Sequence, residues 1–228
     1  MTDHMTIALA QINPTVGDID GNVRLVRTAR AEATEHGADL VVFSELVVCG
    51  YPPEDLVLRG AFQDAVEAAV EDLAGATADG GPALLVGAPW RAEDRLYNAA
   101  LLLEGGAIAA KRFKHKLPNY GVFDEARLFA PGPVPGPIAF RGVRLGVMIC
   151  EDMWTPDVAE SLEECQAQLL IVLNGSPFEQ DKDDERLNLA VARATETKLP
   201  LIYVNQIGGQ DELVFDGASF VLDSGCRL

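Results

Sequence analysis

Four short runs of almost unbroken apolar residues constrain this chain most: LVVF at 40–43, ALLV at 83–86, LLIVL at 169–173 and PLIYV at 200–204. Runs of four or five residues rich in β-branched and leucine side chains read as strands. The lack of polar alternation means that both faces of those strands are covered. Between them lie stretches with helical periodicity, at 21–36, 61–74, 157–166 and 184–198. Strands buried on both faces and alternating with amphipathic helices predict an α/β fold.

Further strands are expected at 6–12, 39–43, 83–87, 98–104, 107–113, 138–140, 144–149, 169–173 and 201–205, with a pair around 212–222. Gly105-Gly106 and Arg141-Gly142 mark hairpins that add antiparallel pieces. The run APGPVPGP, 130–137, reads as a loop and not as a domain linker. With 228 residues and 48% hydrophobic content, one domain over 1–228 can bury a core without disulfide staples.

The most chemically suggestive segment is RLGVMICEDMW, 144–154, where an apolar run stops at Cys150 and two carboxylates follow at once. An isolated cysteine is more often a small buried hydrophobe than a nucleophile. Two other strand ends change that balance. Glu45 stands just beyond LVVF in FSELVVCGYPPEDL, and a lysine cluster stands just beyond 107–112 in KHKLPNYGVFDEARLF. A carboxylate, an ammonium and a thiol would then meet at the strand ends, where α/β folds build their sites. The three histidines, His4, His36 and His115, give no convincing Cys-His pair, so a carboxylate base fits better.

These segments resemble the carbon–nitrogen hydrolase (nitrilase) superfamily, and within it the glutaminase domains of glutamine-dependent NAD synthetases. The likeness runs from AQINPTVGDIDGN (10–22) through GYPPEDL (50–56), LPNYGVFDE (117–125) and ICEDMW (149–154) to NGSPF (174–178). It implies a four-layer α-β-β-α sandwich, with Glu45 as general base, Lys114 as catalytic lysine, Cys150 as nucleophile and Glu125 as a second glutamate orienting Lys114 and water. Lys114 is chosen over Lys116 and Lys111 because the family pattern is lysine, two variable residues, then Leu-Pro. The resemblance also implies substrate contacts from Tyr51, Tyr120, Glu151 and Ser176, with Lys182 as a weaker candidate and Arg186 as its substitute for the substrate carboxylate. Cys49, Cys165 and Cys226 are expected to be structural.

The activity implied is hydrolysis of glutamine through a cysteine thioester, releasing ammonia and glutamate, with no metal or cofactor. In the synthetases that ammonia serves ATP-dependent amidation of deamido-NAD. ATP and Mg belong to a second domain, and neither an SGGxDS loop nor a GxxxxGK[ST] loop occurs here. The chain, ending at SGCRL, is therefore expected to be a truncated form or a separate subunit, acting with a synthetase domain as partner and as a homo-oligomer. A stand-alone amidase for another small amide and a non-catalytic interaction module remain as alternatives.

A formal charge of −17 argues against nucleic acid as a partner, because phosphate binding needs a basic surface. No signal-like segment opens the chain, and no apolar run approaches the ~18 residues that cross a bilayer, so a cytoplasmic protein with no membrane partner is expected.

Overall fold

The computed structural model describes residues 4–180 and 182–228, without the side chains of 182–184. Two five-stranded sheets face each other. The first holds β1 (Ile7–Leu9), β2 (Leu40–Val42), β3 (Ala83–Ala92), β4 (Arg95–Glu104) and β5 (Ala107–Phe113) in that spatial order. The second holds β6 (Ile138–Phe140), β7 (Val143–Ile149), β8 (Leu169–Leu173), β9 (Leu201–Val204) and β12 (Phe220–Leu222), in the order β12-β9-β8-β7-β6. A two-stranded ribbon pairs β10 (Ile207–Gln210) with β11 (Leu213–Asp216).

Strands β1, β2 and β3 are parallel in one sheet, with β1 at its edge, and β7, β8 and β9 are parallel and central in the other; the apolar runs of β2, β3, β8 and β9 all lie inside their sheets. Successive side chains of a strand point to opposite faces. Leu40, Val42, Ala83 and Leu85 accordingly meet Leu145, Val147, Ile171, Leu173 and Ile202 between the sheets. Their neighbours Val41, Phe43, Leu84 and Val86 face outward, into a second core under α1 (Ile19–Glu35) and α2 (Gly60–Ala76). On the other sheet, Met148, Leu170, Val172 and Tyr203 pack beneath α4 (Pro156–Glu164) and α5 (Lys182–Thr197). The result is the expected sequence of layers, helix, sheet, sheet, helix.

Helix boundaries follow local chemistry. The Asp18 side chain accepts from Gly21 N at the start of α1, and Pro156 occupies the first position of α4, where it costs no hydrogen bond. In α2, Val66, Val70, Leu73 and Ala74 recur at helical spacing on the buried face. A single turn, α3 (Glu125–Leu128), begins at the last residue of the LPNYGVFDE segment.

Three features depart from the sequence reading. First, β3 runs on to Ala92 and β4 begins at Arg95, so the strands are joined by a tight hairpin at Glu93-Asp94, both with positive φ. Nothing but a polar loop was legible there, because neither residue is glycine or asparagine. Second, the expected pair around 212–222 is split: β11 pairs with β10, whereas β12 adds antiparallel to β9. The IGGQ sequence of β10 lacks the apolar alternation that would have revealed it. Third, Cys165 is exposed at the end of α4 instead of packed in the core.

Candidate active site

Beyond β2 the chain continues extended through Phe43, whose N–H donates to Leu85 O, and turns at Leu46 with φ of 49°. This places Glu45 against β8's exit, where its N–H donates to Asn174 O at 3.2 Å. The turn lies so close to β3 that a Cβ on Gly87 would fall 2.3 Å from Leu46 N; only glycine leaves room. Lys114 follows β5 directly and is held by N–H donation to Asn98 O, at 2.8 Å, on the neighbouring strand. Cys150 follows β7 directly and begins a tight 3-10 turn through Met153, with a φ of 46°. The thiol is thereby fixed at the exit of a strand from the second sheet, while Glu45 and Lys114 come from the first.

The Lys114 ammonium is 0% exposed and lies between two carboxylates. Its Nζ donates to Glu45 Oε1 at 2.7 Å and to Glu125 Oε1 at 2.8 Å. Burial alone would depress its pKa, but Glu125, Glu45 and Cys150 outweigh that and hold it well above the ordinary lysine value. Glu45 Oε1 also accepts from Asn98 Nδ2 at 2.7 Å, and its Oε2 accepts from Gly175 N at 3.0 Å. Glu125 accepts from Tyr51 OH at 3.0 Å. Its carboxyl is raised, chiefly by burial and also by Glu45, although the Lys114 ammonium pulls the other way.

Burial also pushes the Cys150 thiol well above its usual value; the Glu45 carboxylate adds to this and Lys114 opposes it. A thiol raised in this way holds its proton, so it could act as a nucleophile only where a neighbouring base took that proton. A buried glutamate, an ammonium whose pKa is held high and a thiol whose pKa is raised are parts from which an acid–base-assisted acyl transfer can be built.

The substrate-contact residues expected from the sequence fall into two groups. Tyr120 is half exposed and donates to both oxygens of Glu151, the residue after Cys150, so these two form one polar feature there. Tyr51 instead lies behind the carboxylates, buried, its hydroxyl donating to Glu125 and its ring so close to Gly175 that a Cβ there would come within 2.7 Å. Ser176 is also buried: its N–H donates to Asn205 Oδ1, and its Oγ accepts from Arg186 Nε. Arg186 is set aside as a ligand for a substrate carboxylate. Its guanidinium contacts both oxygens of Asp216 and donates to Ser176 O and Pro177 O, bracing the 174–178 loop from beneath. Lys182 begins α5, and its side chain lies outside the described residues. Lys116 pairs with Asp157 at the surface.

Sequence reasoning missed Asn98, whose amide holds Glu45 and whose carbonyl holds Lys114. The only signal was one asparagine within the apolar run YNAALLL. It saw Asp152 only as a carboxylate near Cys150 and missed that it is buried. Among the described residues, no group of three or more His, Cys, Asp or Glu side chains could hold a metal ion, and no helix is long and apolar enough to cross a membrane.

Comparison with known proteins matches residues 6–227 to the family described as carbon-nitrogen hydrolase. The glutamine-dependent NAD(+) synthetase of Rhodobacter capsulatus is 47% identical over 98% of this chain, and that of Thermotoga maritima 40% identical over 96%. The chain covers 40% and 38% of those proteins. Among solved structures, glutamine-dependent NAD+ synthetase from Acinetobacter baumannii, in complex with ADP, superposes with a TM-score of 0.92 at 37% identity, over 97% of this chain and 42% of that one. An amidase from Nesterenkonia sp. AN1, carrying the acetamide moiety of fluoroacetamide on its active site cysteine, gives a TM-score of 0.87 at 30% identity, over 98% of this chain and 84% of that one.

Proposed function

Because the chain belongs to the carbon–nitrogen hydrolase family, we propose that it hydrolyses the side-chain amide of L-glutamine through a Cys150 thioester and passes the ammonia to a synthetase domain that amidates deamido-NAD. The observation that carries the chemistry is the fully buried Lys114 ammonium bridging Glu45 and Glu125 beside a buried thiol. The names of its relatives support glutamine as the amide.

In this reading Glu45 takes the Sγ proton as sulfur attacks the amide carbon. Lys114 stabilises the oxyanion of the tetrahedral species, together with a backbone N–H beside the nucleophile. Glu45 returns the proton to the leaving nitrogen, the C–N bond breaks and ammonia departs. Water then attacks the thioester; Glu45 accepts its proton and delivers it to the departing sulfur, giving glutamate and the free thiol. Glu125 keeps Lys114 aimed. Every proton and electron pair moves between these side chains, substrate and water, so the hydrolysis draws on no cofactor. ATP and Mg enter only in the synthetase domain's reaction.

Tyr120 and Glu151, linked by hydrogen bonds, are the groups this reading assigns to the substrate's amino-acid end. A second reading, a stand-alone amidase, is favoured by the likeness to an amidase of which the chain covers 84%. The two separate when ammonia release from L-glutamine, asparagine and simple aliphatic amides is measured with wild type and Cys150→Ala, with and without a separately expressed synthetase domain. Glutamine-selective turnover that is lost in Cys150→Ala and stimulated by the added domain is the expected result. A preference for aliphatic amides would replace glutaminase with amidase.

A further inference from the structure

The Asp152 side chain lies two residues beyond the nucleophile, 1% exposed, and none of the steps above uses it. Its two oxygens reach different strand ends. Oδ2 accepts from Ile149 N at 3.1 Å, the residue that precedes Cys150 at the end of β7. Oδ1 accepts from His115 N at 3.0 Å and Lys116 N at 2.8 Å, immediately after Lys114 at the end of β5. Those strands belong to different sheets. We infer that Asp152 is a positioning residue: its carboxylate ties the lysine-bearing strand end to the nucleophile-bearing one and so sets the register of Lys114 against Cys150 across the two sheets.

The two sheets meet through apolar side chains, which resist separation but are non-directional and do little to fix sliding. A carboxylate accepting N–H groups on both sides is directional, and the catalytic geometry tolerates errors of only about 0.5 Å. The tie also holds the tight turn that keeps Cys150 at positive φ. Burial pushes the Asp152 carboxyl up to about 6 even though the three N–H groups and the Lys114 ammonium favour its charged form, so a buried carboxylate is retained here against a desolvation cost. A leucine or an asparagine of similar size could fill the same space but could not accept on both sides.

This inference rests on the hydrolase reading, and its test separates the two. Asp152→Asn preserves volume but leaves one acceptor oxygen, so one side of the tie faces an NH2 group. We expect kcat for amide hydrolysis to fall about tenfold or more, with KM within about twofold. The rate of Cys150 alkylation by iodoacetamide, followed by peptide mass so that exposed Cys165 does not interfere, should fall with it. Leu162→Ala, a core truncation in α4, serves as a variant that lowers the melting temperature without touching the tie. A kcat loss in Asp152→Asn far beyond that of Leu162→Ala supports positioning. Unchanged kcat in a folded Asp152→Asn, or losses that simply track melting temperature in both variants, would overturn it. If Asp152→Asn does not fold, Asp152→Ser is measured in the same way. Should wild type hydrolyse no amide while its Cys150 alkylation still drops in Asp152→Asn, the functional reading fails and the tie stands.

Discussion

Lys114 and Arg186 are both buried cations, 0% and 2% exposed, yet their surroundings differ in kind. Lys114 is a point charge shared by Glu45 and Glu125, with a thiol close enough to respond to all three. The cluster holds more acidic groups than basic ones, and its protons can be redistributed. Arg186 is a planar fork spread over Asp216, the Ser176 hydroxyl and two carbonyls that have no proton to exchange. The first arrangement is suited to moving protons and the second to holding a loop still. Arg186 too has a carboxylate partner in Asp216, so burial of a charge and an acidic partner do not by themselves identify a catalytic group; what sets Lys114 apart is the thiol that shares its surroundings.

The largest expected effect tests that distinction. Lys114→Met removes the ammonium from between two buried carboxylates. Turnover should fall by about a thousandfold or more, with a stability loss of about 3–5 kcal/mol. Arg186→Lys keeps the charge but forfeits the fork, leaving buried carbonyls short of a donor. That should cost about 1–3 kcal/mol in chemical denaturation while kcat changes less than about tenfold. The comparison breaks if Arg186→Lys raises KM steeply at unchanged stability, because Arg186 would then be binding the substrate carboxylate after all.

What the sequence made legible follows the same division. Glu45, Lys114 and Cys150 each stand at or just beyond the end of a strand expected from the sequence, so the strand pattern that reveals the sheets also reveals their exits. Asn98 was hidden because its value lies in a partner 53 residues away, and one polar residue in a strand carries no sign of which side chain it will meet. Asp152 was visible as a carboxylate beside the cysteine, but its partners across the sheets are backbone N–H groups 36 and 37 residues distant, which no residue type announces. Arg186 lay between two readings on sequence alone. Its role follows from β11, which brings Asp216 against it, and that strand's pairing with the glycine-rich β10 had no pattern to read. Local periodicity encodes where chains end; long-range pairing decides what meets there.

A smaller effect sharpens the charge imbalance at the nucleophile. With its pKa raised by burial and by Glu45, the Cys150 thiol is mostly protonated through neutral pH, so its alkylation rate should climb with pH past about 9 without levelling. Glu45→Gln removes the carboxylate that adds to the rise while leaving the Lys114 ammonium that opposes it. The titration should therefore move to lower pH. An upward or absent shift, read from alkylation rates followed by peptide mass, would mean that Glu45 does not face the thiol.

The smallest effect is expected two residues beyond Lys114. Lys116 is also a lysine paired with a carboxylate, Asp157, at 2.6 Å, but the two side chains are 33% and 46% exposed. Water and salt screen such a pair, and fixing two mobile side chains offsets much of the attraction, so Lys116→Ala should change stability by less than about 0.5 kcal/mol. Turnover should stay within about twofold, since its backbone N–H, the part that Asp152 holds, is unaltered by the substitution. A loss of turnover comparable to that of Lys114→Met would transfer the catalytic role to Lys116. A near-neutral result would show that the same charge pair, formed at nearly the same distance, gains its chemical consequence from burial and from the second carboxylate that only Lys114 has.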